Sequence, residues 1–419
     1  MNFSSLGKIF RKEMFKSSLL VSFSKAFASL SNLLFMIYAV NILSRAENGH
    51  LQFYLGYVPL LLAVAEFGLP NAMVKYLSAE SENSMDTGSL LSASLFLKLV
   101  SLFILTLIGA VMVFLYDFDP VTVFIIVSGG LITSFISYFE SMLVAYREYA
   151  SLAVWNPAGN LMRLGILYFS NVSYERSLNH LDVLSIYCLS PGVTLFLFFI
   201  LFRKHGIRWT GSFKGFKIKI KELALFNLWA FAASLFAIAS DRLEIFFLKK
   251  YHTPETVAVY GTALQLFSGF LIVFATLNSL ILPRLSKAYG TEDFNKFLIK
   301  AVAFCIFCSF LLSPGYFLAE PILNFLFQNK YSDSIPVFKI LYPNYLLQMV
   351  FAPLGIALFA MGKPSLLAFL ALIRLIFGVF FDVLLIPELG PSGAAFSFLL
   401  GQVVSWLVLA GYFLAAFWK

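Results

Sequence analysis

A helical protein that crosses the membrane many times is the fold class this sequence predicts, and three observations predict it. Of its 419 residues, 60% are hydrophobic and only 12% are charged, about half the ~25% charge typical of soluble domains. Forty-nine phenylalanines leave too little polar surface to cover a water-soluble globule. The apolar runs are also continuous over about 20 residues, the length of a membrane-crossing helix, whereas barrel strands alternate every second residue. Only helices and closed barrels satisfy their own backbone in lipid, so the prediction is an all-α bundle.

The elements follow in order. Lys8, Arg11, Lys12 and Lys16 precede the first apolar run. "AFA" at 26–28 is shaped like a signal-peptidase site, but Lys25 interrupts the apolar core and the pattern continues to residue 43. This is read as an uncleaved span. Polar breaks then give twelve spans, near 18–40, 51–70, 90–114, 121–144, 151–171 and 183–202, then 225–248, 258–282, 297–319, 337–361, 365–386 and 393–417. With the N-terminus inside, nineteen of the 30 Lys and Arg fall on inner segments, six on outer segments and five within spans. That excess predicts that both termini are cytoplasmic.

The longest hydrophilic stretch, "RKHGIRWTGSFKGFKIKIKE" at 203–222, divides the chain near its midpoint. "LQ" and "LP" at 51–52 and 69–70 recur at 264–265 and 282–283, and "LMRL" at 161–164 recurs as "LIRL" at 372–375. The offsets, 213 and 211, put each match in equivalent spans. The expected organisation is therefore an N-terminal six-helix bundle (1–202), a basic cytoplasmic connector (203–222) and a C-terminal six-helix bundle (223–419). Parallel repeats of this kind enclose a cavity at their interface, as transporters do. In the connector, Lys214, Lys217, Lys219 and Lys221 interleave with Phe213, Phe216, Ile218 and Ile220, which suits either the anionic inner leaflet or a topology-setting linker.

Charge within the spans is costly, roughly 2.5–3.5 kcal/mol per group on translocon scales. Five cations (Lys25, Lys98, Arg163, Arg242 and Arg374) and five acids (Glu66, Glu140, Asp241, Glu244 and Asp382) lie there. Arg163 and Arg374 are near mid-span and are the repeat-matched pair, so they are the leading cavity cations. Glu66 and Glu140 are within about a turn of the inner boundary, and Lys98 is expected to snorkel toward water. In "IASDRLEIFFLKK" (238–250), an unbroken helix would put Asp241 and Glu244 on one face and turn Arg242 about 100° away. Each then needs a partner on another helix or in solvent. Pairing between helices would account equally well for Arg242, Asp241 and Asp382.

Other chemistries have little support. Cys305 and Cys308 form a C-x-x-C inside an apolar helix with no histidine near, which points to packing rather than metal or redox work. No G-x-x-x-x-G-K-[ST] is present for nucleotide, and "NVS" at 171–173 has only the form of a sequon. His180 and Asp182 on an 11-residue outer segment make a weak site for a membrane polymerase or ligase. The expectation is a non-enzyme with no cofactor, no metal and no nucleic-acid partner.

"YAVNILSRAENGHLQFY" (38–54) and "AEFGLPNAMVKYLS" (65–78) resemble the opening of bacterial polysaccharide flippases of the multidrug/oligosaccharidyl-lipid/polysaccharide exporter superfamily. "ASDRLEIFFL", "VAVYGTALQLF" (257–267), "ILPRLSKAYG" (281–290) and "PELGPSGAAFSFLLG" (387–401) are similar to that family's second half, in the same order. The resemblance implies alternating access and an oligosaccharide on polyprenyl diphosphate as cargo. It also implies coupling to H+ or Na+, and admits other polysaccharide-assembly proteins as partners beside membrane lipids. Arg163, Arg374 and Lys25, with Arg242 a weaker candidate, would then meet the diphosphate. Glu66, Asp241 and Glu244 would be candidates for ion coupling. Two rivals share the architecture: a multidrug-type cation antiporter, which would want an acidic, aromatic-lined cavity, and a peptidoglycan-precursor flippase, for which fourteen spans are expected.

Overall fold

In the computed structural model of the chain, residues 3–80, 84–146, 148–173, 177–202, 216–291 and 293–417 are described. They are 91% helical, with no strand among them. The first half holds α1 (Phe3–Ile42), α2 (Arg45–Glu66), α3 (Leu69–Glu80), α4 (Ser84–Tyr116), α5 (Pro120–Ala145), α6 (Tyr149–Ser173), α7 (His180–Leu189) and α8 (Pro191–Phe202). The second half holds α9 (Phe216–Ser240), α10 (Leu243–Tyr251), α11 (Pro254–Leu266), α12 (Ser268–Ala288), α13 (Asp293–Leu312), α14 (Ala319–Phe327), α15 (Ser334–Ala360) and α16 (Pro364–Phe417). Residues 203–215, most of the predicted connector, lie outside the described residues, and from Phe216 the chain is already helical.

Six described stretches are long and apolar enough to cross a membrane. They cover seven of the predicted spans, because α16 holds two, separated by a kink at Gly390 (φ 54°, ψ −128°) between Pro387 and Pro391. The other five predicted spans fall on α2–α3, α6, α7–α8, α9–α10 and α11–α12. All but α6 are interrupted, so the twelve-span count fits the fold while the helices are more often broken than the hydropathy suggests. Local chemistry sets several ends. Asp119 caps α5 by accepting from the Thr122 backbone N–H at 2.8 Å, with Pro120 at the first helical position. Between α2 and α3, Phe67 (φ 46°) and Gly68 (φ 67°) turn left-handed and break the span. Large apolar side chains such as Phe114 (81% exposed) and Phe325 (85%) point outward, as a lipid-facing surface requires. This is a multi-pass membrane protein.

The chain forms two compact units. Unit 1 comprises Met1–Phe35, Leu61–Arg176 and Asp182–Leu228, and unit 2 comprises Met36–Leu60, Ser177–Leu181 and Trp229–Lys419. In unit 1, α3, α4 and α5 pack through Met73, Leu90, Tyr138 and Met142. In unit 2 one core joins α10, α11, α14, α15 and α16 through Leu248, Tyr260, Phe327 and Leu341. A second core joins α12, α13, α15 and α16, and Cys305 is buried within it.

Candidate functional site

In unit 1 the central group is Arg163 on α6. Its Nη1 donates to Asn32 Oδ1 on α1 at 3.2 Å. The guanidinium lies 4.1 Å from the centre of the Tyr187 ring on α7 and 6.0 Å from that of Phe35. Its Nε is buried and unpartnered. Among the described residues no carboxylate reaches ion-pair distance of Arg163, so its charge is met by an amide and two ring faces. Lys25 lies two turns before Asn32 on α1, is exposed, and feels the charge of Glu140.

Also in unit 1, Glu66 ends α2, hydrogen-bonds Ser137 and lies in the field of Lys98. Lys98 departs from the snorkelling expected of it. It is fully buried, and its Nζ donates to the Ala65 carbonyl at 3.1 Å and to Ser134 Oγ. The reason is the break at Phe67–Gly68, which leaves the last carbonyls of α2 without intrahelical donors. Ser101 Oγ donates to the same Ala65 oxygen at 2.8 Å. The ammonium therefore caps a helix end inside the protein, where a cation is also favoured by the helix dipole.

In unit 2 the stretch "IASDRLEIFFLKK" is not one helix. The chain turns at Asp241 and Arg242, between α9 and α10, with Arg242 (φ −122°, ψ −8°) at the N-cap of α10. The shared face expected of Asp241 and Glu244 is replaced by this turn, because Asp241 is drawn to another element. Its Oδ1 accepts from Arg374 Nη2 on α16 at 2.5 Å. Arg374 also lies 4.9 Å from the centre of the Phe398 ring. The repeat-matched arginines are thus unequal, since Arg374 has a carboxylate and Arg163 has none. Half-buried Arg242 makes no capping hydrogen bond with its side chain.

Glu244, 2% exposed in the first turn of α10, has an unpartnered Oε2. It feels the charges of Asp382, Arg374 and Asp241. Asp382 on α16 is fully buried. Its Oδ1 accepts from Ser397 Oγ at 2.5 Å while its Oδ2 has no partner. The structure therefore gathers Asp241, Glu244 and Arg374 in one place and adds Asp382 and Ser397, which the sequence reading left out of the site. A lone aspartate in the apolar run "VFFDVLL" was the available signal. Asn32 and Tyr187, the partners of Arg163, carried none.

These features define a class, a multi-pass helical membrane protein with cationic and acidic groups held inside its spans, as in transporters rather than enzymes. A family model described as "Polysaccharide biosynthesis protein" matches residues 14–289, and the chain belongs to that family. It is 30% identical over 195 residues to the capsular polysaccharide biosynthesis protein CapF of Staphylococcus aureus, a match covering 45% of this chain and 48% of CapF. It thus spans about half the length of that relative. Over 97% of this chain and 84% of the other, it is 21% identical to a probable low-salt glycan biosynthesis flippase, Agl15, of Haloferax volcanii. Two solved folds are similar. One is an inward-facing multidrug resistance MATE family transporter of the MOP superfamily (TM-score 0.72, 16% identity, 93% of this chain and 95% of that one). The other is the lipid II flippase MurJ in an inward closed conformation (0.70, 15%, 94% and 86%).

Proposed function

We propose that this chain is a flippase that moves a polyprenyl-diphosphate-linked oligosaccharide from the inner to the outer leaflet of the bacterial inner membrane. It works by alternating access, for surface polysaccharide export, with both termini cytoplasmic. The halves 1–202 and 223–419 act as its two bundles, joined by the connector. The observation that carries the reading is Arg163, a guanidinium deep in a span with an unpartnered Nε and, among the described residues, no carboxylate at ion-pair distance. Such a charge is expensive in lipid and is explained by an anionic ligand. Family membership and the printed name of the archaeal relative support the same cargo class.

Roles divide between the units. Arg163 meets the diphosphate with its free donor while Tyr187 holds the guanidinium plane. Lys25, exposed on α1, adds charge at the entrance. Arg374 contributes once an anion displaces Asp241, and Arg242 is a further positive group beside it. Glu244 and Asp382 each bury a carboxyl oxygen without a partner, and Asp241 adds a third acid. Buried acids in one field favour uptake of H+ or Na+, which makes this cluster the ion-coupling site and leaves Glu66, beside Lys98, as the second candidate.

Deleting the gene tests the reading. Lipid-linked oligosaccharide should accumulate on the inner face, wild-type protein should clear it, and Arg163→Ala should express but fail to clear it. Full clearance by Arg163→Ala removes the site assignment. No accumulation in the deletion removes the flippase.

A further inference from the structure

In unit 1, Arg163 stands on a helix that is interrupted shortly before it. Pro157 lies inside α6, six residues ahead of the arginine. Proline has no N–H, so the Ala153 carbonyl, four residues back, loses its intrahelical donor, and the proline ring pushes that carbonyl out of line. An orphan carbonyl within a span is costly, because lipid offers nothing to replace the bond. The missing donor comes from α1. Ser24 Oγ donates to the Ala153 carbonyl at 3.0 Å and approaches the Leu152 carbonyl at 3.5 Å. Serines inside helices ordinarily donate to the preceding turn of their own helix. Ser31 of α1 does so, to Phe27 at 2.9 Å, as does Ser240 of α9, to Phe236 at 2.8 Å. Ser24, buried between its helix and the next, reaches across to α6.

The same two helices meet again at Arg163, whose Nη1 donates to Asn32. Ser24 and Asn32 are eight residues apart, a spacing that shares one face of α1. The two polar rungs therefore bracket Pro157, one starting four residues before it and the other six after. Six residues are about 9 Å of helix, so a change of about 10° in the bend at Pro157 moves Arg163 by about 1.5 Å. A displacement of that size breaks the 3.2 Å bond to Asn32 and loosens the contact with the Tyr187 ring, whose centre is 4.1 Å away.

We propose that Ser24 is a positioning residue for Arg163. By giving the Ala153 carbonyl the donor that Pro157 removes, it sets the bend of α6 and so holds the guanidinium against Asn32 and the Tyr187 ring. Without that hydroxyl, α6 must bend until the Ala153 oxygen finds water or another donor, and Arg163 is carried with it. The effect on diphosphate binding rests on the flippase reading above, whereas the effect on where the guanidinium lies does not.

The test uses the full chain in detergent and two readouts. Nuclear magnetic resonance of protein labelled at arginine follows the Arg163 Nε–H, which is buried and shifted upfield by the ring current of Tyr187. Arg163→Lys identifies that signal by removing it. Calorimetric titration with inorganic pyrophosphate gives the affinity. Ser24→Ala should move the signal toward the ordinary arginine position and weaken pyrophosphate about three- to tenfold, part of what the ring and hydrogen-bond contacts contribute. Ser24→Thr, which keeps the hydroxyl, should match wild type in both. Ser24→Ala combined with Pro157→Ala separates positioning from stability. Alanine at 157 returns an N–H to the Ala153 carbonyl, so the melting temperature lost in Ser24→Ala should return. The helix then straightens, and the signal and the affinity should stay altered. This double variant carries the same test if Ser24→Ala alone does not fold. A signal unmoved in Ser24→Ala, or restored together with the melting temperature in the double variant, overturns the positioning role. A signal that moves while the affinity holds, or pyrophosphate bound equally by wild type and Arg163→Ala, overturns the diphosphate reading and leaves the positioning role standing.

Discussion

Asp241→Asn should strengthen anion binding to unit 2. Arg374 Nη2 and Asp241 Oδ1 are 2.5 Å apart, and the side chains are 11% and 49% exposed. Unit charges about 4 Å apart attract by about 1 kcal/mol in water and about 4 kcal/mol at an effective dielectric of 20. Asp241 is half in solvent, so screening places the pair toward the lower figure, about 1–2 kcal/mol. On the proposed reading an incoming diphosphate displaces this carboxylate. Asparagine keeps the shape and removes the charge, so that energy returns as affinity, about 5- to 30-fold. Calorimetric titration of the purified protein with inorganic pyrophosphate reads it directly, and the gain should shrink as salt rises. Adding Arg374→Ala should abolish the gain. Pyrophosphate bound no more tightly by Asp241→Asn than by wild type would refute the displacement argument and leave Arg374 with a structural task.

Arg163→Lys keeps the charge but loses the planar fork over Tyr187, so pyrophosphate affinity should fall about 2- to 30-fold, the worth of about 0.5–2 kcal/mol of cation–π contact, in the same titration. Lys98→Met removes a charged donor from Ala65 and Ser134 and should cost about 1.5–3 kcal/mol of stability, seen as a lower melting temperature in detergent. The N-terminal end of α2 should loosen in acid, for two reasons. Burial pushes the Glu47 carboxyl up, but hydrogen bonds from the His180 backbone N–H and ring outweigh it and hold the group below 4.5. That contribution is complete above the ordinary value and is lost as pH falls through the lowered one. Burial, with Lys249 and His180 against Glu47 and Glu255, holds His50 below 6.5, so the folded protein prefers its neutral ring and loses stability as pH falls through that lower value. The melting temperature in detergent should therefore fall as pH drops below 6.5, and His50→Gln should remove the upper part of that fall.

The helical class and the positions of the spans were legible because lipid imposes a length and a hydropathy on every crossing. The breaks were not. Phe67–Gly68 and Asp241–Arg242 interrupt segments whose apolar content never falls, and what stabilises them is distant in sequence. Lys98 caps the first break from a different helix. Arg374, 133 residues away, holds the second through Asp241. The charges that mark the candidate site could be read as intramembrane charges, but their pairing could not. Arg163 and Arg374 occupy matched positions in similar tetrapeptides, and only the coordinates separate one with a carboxylate from one held by Asn32 and Tyr187. Asp382 was visible as a charge, while its grouping with Glu244 depended on how α16 packs against α10.

Arg163 also has an electrical aspect. A charge moved across a membrane held at 100 mV changes energy by about 2.3 kcal/mol. A guanidinium with no carboxylate at ion-pair distance among the described residues carries that charge uncancelled by them, so a shift through a tenth of the field is worth about 0.2 kcal/mol. With the cell interior negative, the voltage draws Arg163 inward, and the diphosphate proposed to bind there would reverse the sign. On the proposed flippase reading, the resting potential then favours return of the empty site and exit of the full one, through a side chain alone.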